Sequence, residues 1–240
     1  MNIFDKYLLK LKFTVWARLK ANFYPSFYQS HSQFGEDMVV RFLTNDIKKG
    51  FYIDIGAHHP VYYSNTHHFY CKGWQGINID GAPGLMDIFS VLRPRDINLE
   101  ILLHPEKTVE TVEFYIFDQA AHNTFDKAMA EKALSMGVKL IEKKKLNATT
   151  LEEVLDLYLP KGTDIDLMSI DIEGIDESIL ISNNWEIYKP KILVFEKHDI
   201  SLKEIEKLEI INYLGRYGYE IVAKCGPSLI LQLKNLKREN

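Results

Sequence analysis

Cysteine is scarce in this 240-residue chain, and long hydrophobic runs are absent. The two cysteines, Cys71 and Cys225, stand in different segments without the spacing of metal ligands, which argues against a structural zinc site and fits a reducing compartment. No apolar stretch reaches the roughly 18 residues that a membrane-spanning helix needs, and the N-terminus lacks the apolar segment of a secretory signal peptide. We therefore expect a cytoplasmic protein.

Positive charge is not in excess either. The chain has 29 Lys and Arg against 33 Asp and Glu, a net charge of -4, so it offers no overall basic field to nucleic acid. Its 46% hydrophobic and 26% charged residues are typical of an ordinary globular domain with a full core. We expect a small-molecule substrate and no nucleic-acid partner.

The first 24 residues mix apolar and basic side chains in a pattern that predicts an amphipathic helix. Such a helix can lie on a membrane surface, on the sister subunit of a homodimer, or on its own domain, and the pattern alone does not choose between them. We therefore divide the chain into an N-terminal helical extension at 1–30 and a single domain at 31–240.

Strands and helices are predicted to alternate along the domain. The strands are 51–55, 76–80, 97–103, 166–170 and 191–195. The helices are 32–45, 65–72, 83–92, 150–158, 174–183 and 201–216. This alternation predicts an α/β fold of Rossmann-like type with a mostly parallel sheet.

Three further segments modify this parallel sheet. Residues 109–117 alternate apolar and polar side chains and predict an added antiparallel strand, whereas 118–146 is best treated as an insertion with a weak helix. The strands predicted at 219–223 and 229–233 are too close for a crossover helix, so they must form a C-terminal antiparallel hairpin.

A short apolar run at 51–57 ends in a turn that suits a nucleotide. Asp54 lies near the carboxyl end of the strand, and Gly56 and Ala57 allow a ligand to approach the backbone. Asp80 ends the second strand 26 residues later, which is about where an acid binds ribose hydroxyls in a nucleotide-binding βαβ unit.

The turn carries no further glycines, since His58, His59 and Pro60 follow Gly56. The G-x-G-x-x-G motif that cradles a pyrophosphate is therefore missing. A ligand with an adenosine but no pyrophosphate fits this departure. Because a terminal antiparallel hairpin is typical of class I methyltransferases, we expect S-adenosyl-L-methionine as cofactor. The alternatives are a nucleotide-sugar dehydrogenase or epimerase on a Rossmann fold, and a non-catalytic nucleoside-binding subunit.

Acids and a histidine follow the last two parallel strands. In methyl transfer to a hydroxyl, Asp171, Glu173 and His198 are candidates to remove the acceptor proton or to position the hydroxyl. Glu173 can instead be a first-turn acid of the following helix. Asp171, Glu196 and His198 could also form a site for Mg²⁺, Mn²⁺ or Fe²⁺.

Several motifs resemble, in order and as a set, the FkbM-type methyltransferase family. They are Ser32–Asp37, Phe51–Ala57, His59–Pro60, Ser64–Thr66, Gly73–Asp80, Arg93–Asp96, Asn123–Phe125 and Ser169–Gly174. The resemblance implies a class I Rossmann-like fold and O-methylation with S-adenosylmethionine, often of a sugar hydroxyl. We therefore expect a nucleotide-linked sugar or a sugar of a capsular or surface polysaccharide as acceptor.

The resemblance also implies which residues line the donor pocket. By position they are Gln33, Asp54, Gly56, Ser64, Asn65 and Asp80, with Asp96 near the adenine. Ser64 and Asn65 stand at the start of a predicted helix, so they can cap it, or their amides can contact the methionine carboxylate.

Overall fold

The computed structural model describes residues 29–119, 122–172 and 174–234. The structure divides into two units, Met1–Ser30 and His31–Asn240, and every helix and strand given below belongs to the second. The predicted amphipathic helix at 1–24 and the candidate acid Glu173 lie outside the described residues. Within the described ranges, no helix has both the length and the apolar character needed to cross a membrane.

The strands and helices follow the predicted alternation. The strands are β1 (Phe51–Ile55), β2 (Gln75–Asp80), β3 (Ile97–Glu100), β4 (Leu102–Leu103), β5 (Thr111–Phe117), β6 (Leu140–Thr149), β7 (Leu167–Ile170), β8 (Ile192–Glu196), β9 (Tyr219–Cys225) and β10 (Ser228–Leu233). The helices are α1 (Glu36–Leu43), α2 (His67–Cys71), α3 (Leu85–Leu92), α4 (Lys127–Ser135), α5 (Leu151–Tyr158), α6 (Asp176–Ser182) and α7 (Glu209–Arg216).

Seven strands form one sheet in the order β3-β2-β1-β7-β8-β10-β9. The strands from β3 to β8 in this order are parallel, and β10 runs antiparallel to both of its neighbours. Only Gly226 and Pro227 connect β9 to β10, so the chain has no room for a crossover helix and returns beside β8. The predicted α/β fold with a terminal antiparallel hairpin is confirmed.

Both faces of β1 are buried, as its continuous apolar run predicts. Ile53 and Ile55 belong to the core cluster on one face, and Tyr52 packs with Trp74 in the cluster on the other. Because side chains alternate along a strand, Asp54 lies on the Tyr52 face. A carboxylate is thereby placed inside the protein close to the end of a central strand.

The insertion is more ordered than predicted, because β6 forms a second sheet in the order β4-β6-β5. The prediction missed β6 because this strand carries the run Glu142–Lys145, whose exposed side chains show no apolar alternation. Its ten residues gain order from pairing with β5, a contact distant in sequence. The strand predicted at 97–103 divides at Ile101 because β4 leaves β3 to pair with β6.

Two helices show how local sequence sets their ends. Thr150 begins α5 with a capping box, since its hydroxyl accepts a hydrogen bond from the Glu153 amide and the Glu153 carboxylate accepts one from the Thr150 amide. The helix predicted at 201–216 is shorter than expected, with a 3₁₀ turn at Ile205–Lys207 before α7.

Candidate active site

A cleft of about 600 Å³ lies at the carboxyl ends of β1, β2 and β7. The strand order reverses between β1 and β7, and such a switch point is where open α/β sheets bind ligands. The wall of the cleft contains seven of the eight residues predicted for donor binding: Gln33, Asp54, Gly56, Ala57, Ser64, Asn65 and Asp80. The structure therefore brings together residues from four separate segments, and their role in binding stays a prediction.

The turn after β1 depends on Gly56. Its φ of 72° lies in the left-handed region, and a Cβ at this position would meet the Asp171 carbonyl oxygen at 1.8 Å. The Gly56 and Ala57 amides both donate to the Ile79 carbonyl, and the Asp171 amide donates to the Ile55 carbonyl at 3.0 Å. The ends of the three strands are therefore held together without space for a side chain.

Asp54 is the most buried acid of the cleft, with 5% of its surface exposed. Its Oδ2 accepts a hydrogen bond of 2.5 Å from the Thr66 hydroxyl and lies 4.0 Å from Nη1 of Arg93. Burial raises the pKa of Asp54 to about 6, since loss of hydration outweighs the opposing effects of Arg93 and Thr66. Near neutral pH the cleft thus holds a carboxylate close to its titration range.

Asp80 closes the same end of the cleft at β2. Its two carboxylate oxygens accept hydrogen bonds from the backbone amides of His58 and Ala82, at 3.1 and 2.8 Å. Burial raises the pKa of Asp80, and these two amide hydrogen bonds oppose that shift. Because each carboxylate oxygen has a second lone pair, Asp80 can organise both turns and still accept from ribose hydroxyls.

Ser64 and Asn65 connect the start of α2 to the sheet. The Ser64 hydroxyl accepts from the amide of His67, the first residue of the helix, at 3.1 Å, although Thr66 is the N-cap residue. The Asn65 side-chain amide donates to the Ser169 hydroxyl on β7 at 3.0 Å.

Gln33 reaches the cleft from a strap, residues 31–35, that precedes α1. Asp37 in the first turn of α1 holds this strap, since its carboxylate accepts from the His31 amide at 2.7 Å and from the Ser32 hydroxyl at 2.8 Å. The His31 carbonyl accepts from the Ser64 amide at 3.0 Å. The helix predicted from residue 32 therefore begins later, at Glu36, because Asp37 holds His31 and Ser32 and the N-cap residue Gly35 has a left-handed φ of 90°.

Asp96, which the family resemblance places near the adenine, is not part of the cleft wall. It precedes β3 at the amino end of the sheet, where its carboxylate accepts from the Tyr52 hydroxyl and from the Gly76 and Asn78 nitrogens. The cleft begins beyond Glu100, at the other end of β3 and four residues after Asp96. At the rise of a β-strand, four residues span about 13 Å.

Apolar side chains form the wall that sequence reasoning missed. They are Ile101, Leu102, Leu103, Phe114, Phe125 and Ile172. Phe114 lies on β5, and Phe125 is held beside that strand because the Asn123 side chain accepts from the Phe117 amide and Thr124 pairs with Tyr115. The motif Asn123–Phe125 was the available signal, but its pairing with the strand predicted at 109–117 could not be inferred from local sequence.

The two catalytic candidates within the described residues are placed differently. Asp171 lies at the wall of the cleft. The His198 side chain is 66% exposed and is not part of that wall, and its Nε2 lies 2.9 Å from the Glu196 carboxylate. The structure therefore brings Asp171, but not His198, to the predicted donor residues.

The predicted metal site is not formed. Among residues 29–119, 122–172 and 174–234, no three His, Cys, Asp or Glu side chains converge as ligands. Asp171 is at the wall of the cleft, and Glu196 pairs with His198, which is not part of that wall.

Asp176 is a buried acid that sequence reasoning missed. It begins α6, and its carboxylate accepts a hydrogen bond from the Ile172 amide at 3.3 Å, which holds the loop that follows β7. Burial raises the pKa of Asp176 to about 6, and the nearby charge of Glu196 adds to the shift. Its position as a first-turn acid was visible in the sequence, but its burial was not.

The comparison with family models identifies the family of this protein. The model of the methyltransferase FkbM domain matches residues 54–221, more than half of the chain. The chain belongs to the FkbM methyltransferase family. It is therefore an S-adenosylmethionine-dependent methyltransferase, and the dehydrogenase, epimerase and non-catalytic alternatives are not retained.

Two solved structures are similar to this FkbM methyltransferase at low identity. One is a TehB-like SAM-dependent methyltransferase from Corynebacterium glutamicum ATCC 13032 Kitasato, with 12% identity over 94% of this chain and 97% of that chain and a TM-score of 0.40. The other is a putative type 11 methyltransferase from Sulfolobus solfataricus, with 12% identity, 88% and 98% coverage and a TM-score of 0.36. No curated protein sequence matches the chain significantly.

The residues of the cleft fit the chemistry of S-adenosylmethionine. The apolar wall suits an adenine ring, and the Asp80 carboxylate suits ribose hydroxyls. Asp54 offers a negative charge to a donor whose methionine end carries an ammonium and a sulfonium. Gln33 and Asn65 add hydrogen-bonding groups to the wall of the cleft.

Proposed function

We propose that this FkbM methyltransferase methylates a hydroxyl of a sugar, carried on a nucleotide or belonging to a capsular or surface polysaccharide. The observation that supports this acceptor is the rim of the cleft, where His58, His59, Tyr63 and Asn123 lie next to the predicted donor residues. Tyr63 is 66% exposed. Aromatic faces beside hydrogen-bonding groups suit a polyhydroxy ligand, which has both C–H surfaces and hydroxyls.

His59 donates a hydrogen bond to the sugar that receives the methyl group. Its Nδ1 accepts from the amides of Val61 and Tyr62, both at 3.0 Å. Burial lowers the pKa of His59, with the charges of His58 and Arg93 adding to the effect, so the ring is neutral at pH 7. In a neutral ring whose Nδ1 accepts, Nε2 carries the proton and can donate to a sugar oxygen.

Asp171 acts as the residue that orients the acceptor hydroxyl and accepts its proton. A hydroxyl becomes nucleophilic only as its proton leaves, and a carboxylate at the wall of the cleft can receive it. Bound S-adenosylmethionine supplies the methyl group. The protein positions Asp171, since the Asp171 amide donates to the Ile55 carbonyl and Gly56 leaves room for this close approach.

The experiment is an acceptor screen in which release of S-adenosylhomocysteine is measured. Nucleotide sugars and polysaccharide fragments are compared with phenols, carboxylic acids and amines, each with wild-type enzyme and with Asp171→Asn. We expect turnover with a sugar and a fall of about 10² in kcat in the variant. Turnover confined to phenols, acids or amines would refute the sugar acceptor and leave methyl transfer itself intact.

A further inference from the structure

Arg93 lies behind the cleft and is fully buried, with 0% of its surface exposed. All five of its N–H groups have acceptors. Nε and Nη2 donate to the Pro60 carbonyl, Nη2 donates to Ser64 Oγ at 2.7 Å, and Nη1 donates to Thr66 Oγ1 at 2.7 Å and to Asn78 Oδ1 at 3.2 Å. This guanidinium therefore holds the whole 60–66 segment, which carries one side of the cleft.

The hydroxyl of Thr66 connects the Arg93 guanidinium to Asp54 at the wall of the cleft. Thr66 Oγ1 accepts from Arg93 and donates its proton to Asp54 Oδ2 at 2.5 Å. Direct contact between the charges is weaker, since Nη1 and Oδ2 are 4.0 Å apart. The chain of contacts thus runs from a buried cation through Thr66 to the acid that lines the cleft.

These contacts between Arg93, Thr66 and Asp54 have an electrostatic consequence. A fully buried guanidinium needs opposite charge and complete hydrogen bonding to offset its lost hydration. Neutral acceptors satisfy its N–H groups, so nearby acids balance its charge: Asp54 lies 4.0 Å away, and Asp96 also interacts with it electrostatically. In return, the cation and the Thr66 hydroxyl favour the anionic form of Asp54 inside a site that otherwise disfavours it.

We propose that Arg93 is a positioning residue for donor binding, which acts through Thr66 to orient the Asp54 carboxylate and keep it anionic toward the positively charged methionine end of S-adenosylmethionine. The motif Arg93–Asp96 thereby receives a role that lies outside the cleft itself. The proposal concerns the donor, so it does not depend on which acceptor the enzyme uses.

The groups around Asp54 set the sign of the expected pH effect. Burial raises its pKa to about 6, Arg93 and the Thr66 hydroxyl lower it, and the charges of Asp96 and Asp80 raise it. Tyr52, whose pKa is raised mainly by burial, stays protonated and neutral in this range. Loss of the Thr66 hydroxyl should therefore raise the pKa of Asp54, by about one unit for a lost hydrogen bond to a charged group.

The test compares Thr66→Val with its matched control Thr66→Ser in the full-length protein. Titration calorimetry with S-adenosylhomocysteine, which keeps the donor's ammonium, gives the affinity from pH 5 to 8.5. We expect wild-type affinity to fall through a midpoint near pH 6. Thr66→Val should move that midpoint up by about one unit, so that binding is about fivefold weaker than wild type at pH 6 and nearly equal at pH 8. Thr66→Ser should follow the wild type.

Three results would overturn the proposal. One is an unmoved midpoint in Thr66→Val, and another is an equal shift in Thr66→Ser, since that variant keeps the hydroxyl. The third is a full pH dependence in Asp54→Asn, which would assign the titration to another group of the cleft, such as Asp80 or His59. Arg93→Met should raise the midpoint further than Thr66→Val, and where it fails to fold by circular dichroism the Thr66 pair decides.

Discussion

Replacement of Gly56 by alanine should destabilise the protein in two ways, through backbone strain and through a steric clash of the added Cβ. At φ 72° a Cβ costs about 1–2 kcal/mol in any surroundings. At this position the Cβ would also lie 1.8 Å from the Asp171 carbonyl oxygen, which belongs to the backbone and cannot rotate away. The ends of β1 and β7 must then separate, at about 1–3 kcal/mol more for overpacking.

The expected loss for Gly56→Ala is therefore about 2–5 kcal/mol, or a fall in Tm of about 10 °C for a chain of this size. Gly162→Ala is the matched control, since Gly162 has a φ of 77° and a Cβ added there would meet nothing within 4 Å. It should lose only the strain, a fall of about 4 °C. Thermal unfolding by circular dichroism measures both.

Donor binding distinguishes the two variants further. Gly56→Ala moves the turn that lines the cleft, so its affinity for S-adenosylhomocysteine should fall at least tenfold, whereas Gly162→Ala should bind as wild type does. Equal changes in Tm for the two variants would show that strain alone matters at Gly56. Unchanged binding in Gly56→Ala would show that the turn is not part of the donor site.

Four further predictions follow from single residues. Asp171→Asn should lower kcat by about 10² and change the affinity for S-adenosylhomocysteine less than threefold; normal turnover would remove Asp171 from the reaction. His198→Ala should lower kcat less than about threefold, because the side chain is 66% exposed and outside the cleft wall; a fall of 10² would return it to the catalytic set. Asp176 has a folded pKa raised from 3.8 to about 6, so its contribution to stability is greatest at low pH and is lost as pH rises through this window. Between pH 4 and 6.5, the stability of Asp176→Asn relative to wild type should therefore rise by about 2–3 kcal/mol. Denaturant titrations measure this difference, and a difference that stays constant with pH would contradict the prediction. Thr150→Ala removes the capping box of α5 and should lower Tm by about 2–4 °C, and an unchanged Tm would show that the cap is not needed.

Much of the fold could be predicted because its signals are local. The run Phe51–Ile55 has the length and composition of a buried strand, and a hairpin follows from the short gap between the strands predicted at 219–223 and 229–233. The strand β6 was missed because its lysines are exposed and only its distant partner β5 gives it order. The pattern of apolar residues predicts a strand when the side chains of that strand are buried. It fails for an exposed strand whose order comes from pairing with a distant strand.

The sequence by itself determined which acids and glycines stand at the ends of the central strands, because periodicity predicts the strands and parallel strands end at one edge. Only the tertiary structure decided which of them share the cleft. Asp171 reaches it while His198 does not, and Asp96 lies at the opposite end of the sheet in the hydrogen-bond network around Arg93. These outcomes depend on strand register and on contacts between distant segments, and one-dimensional spacing contains neither.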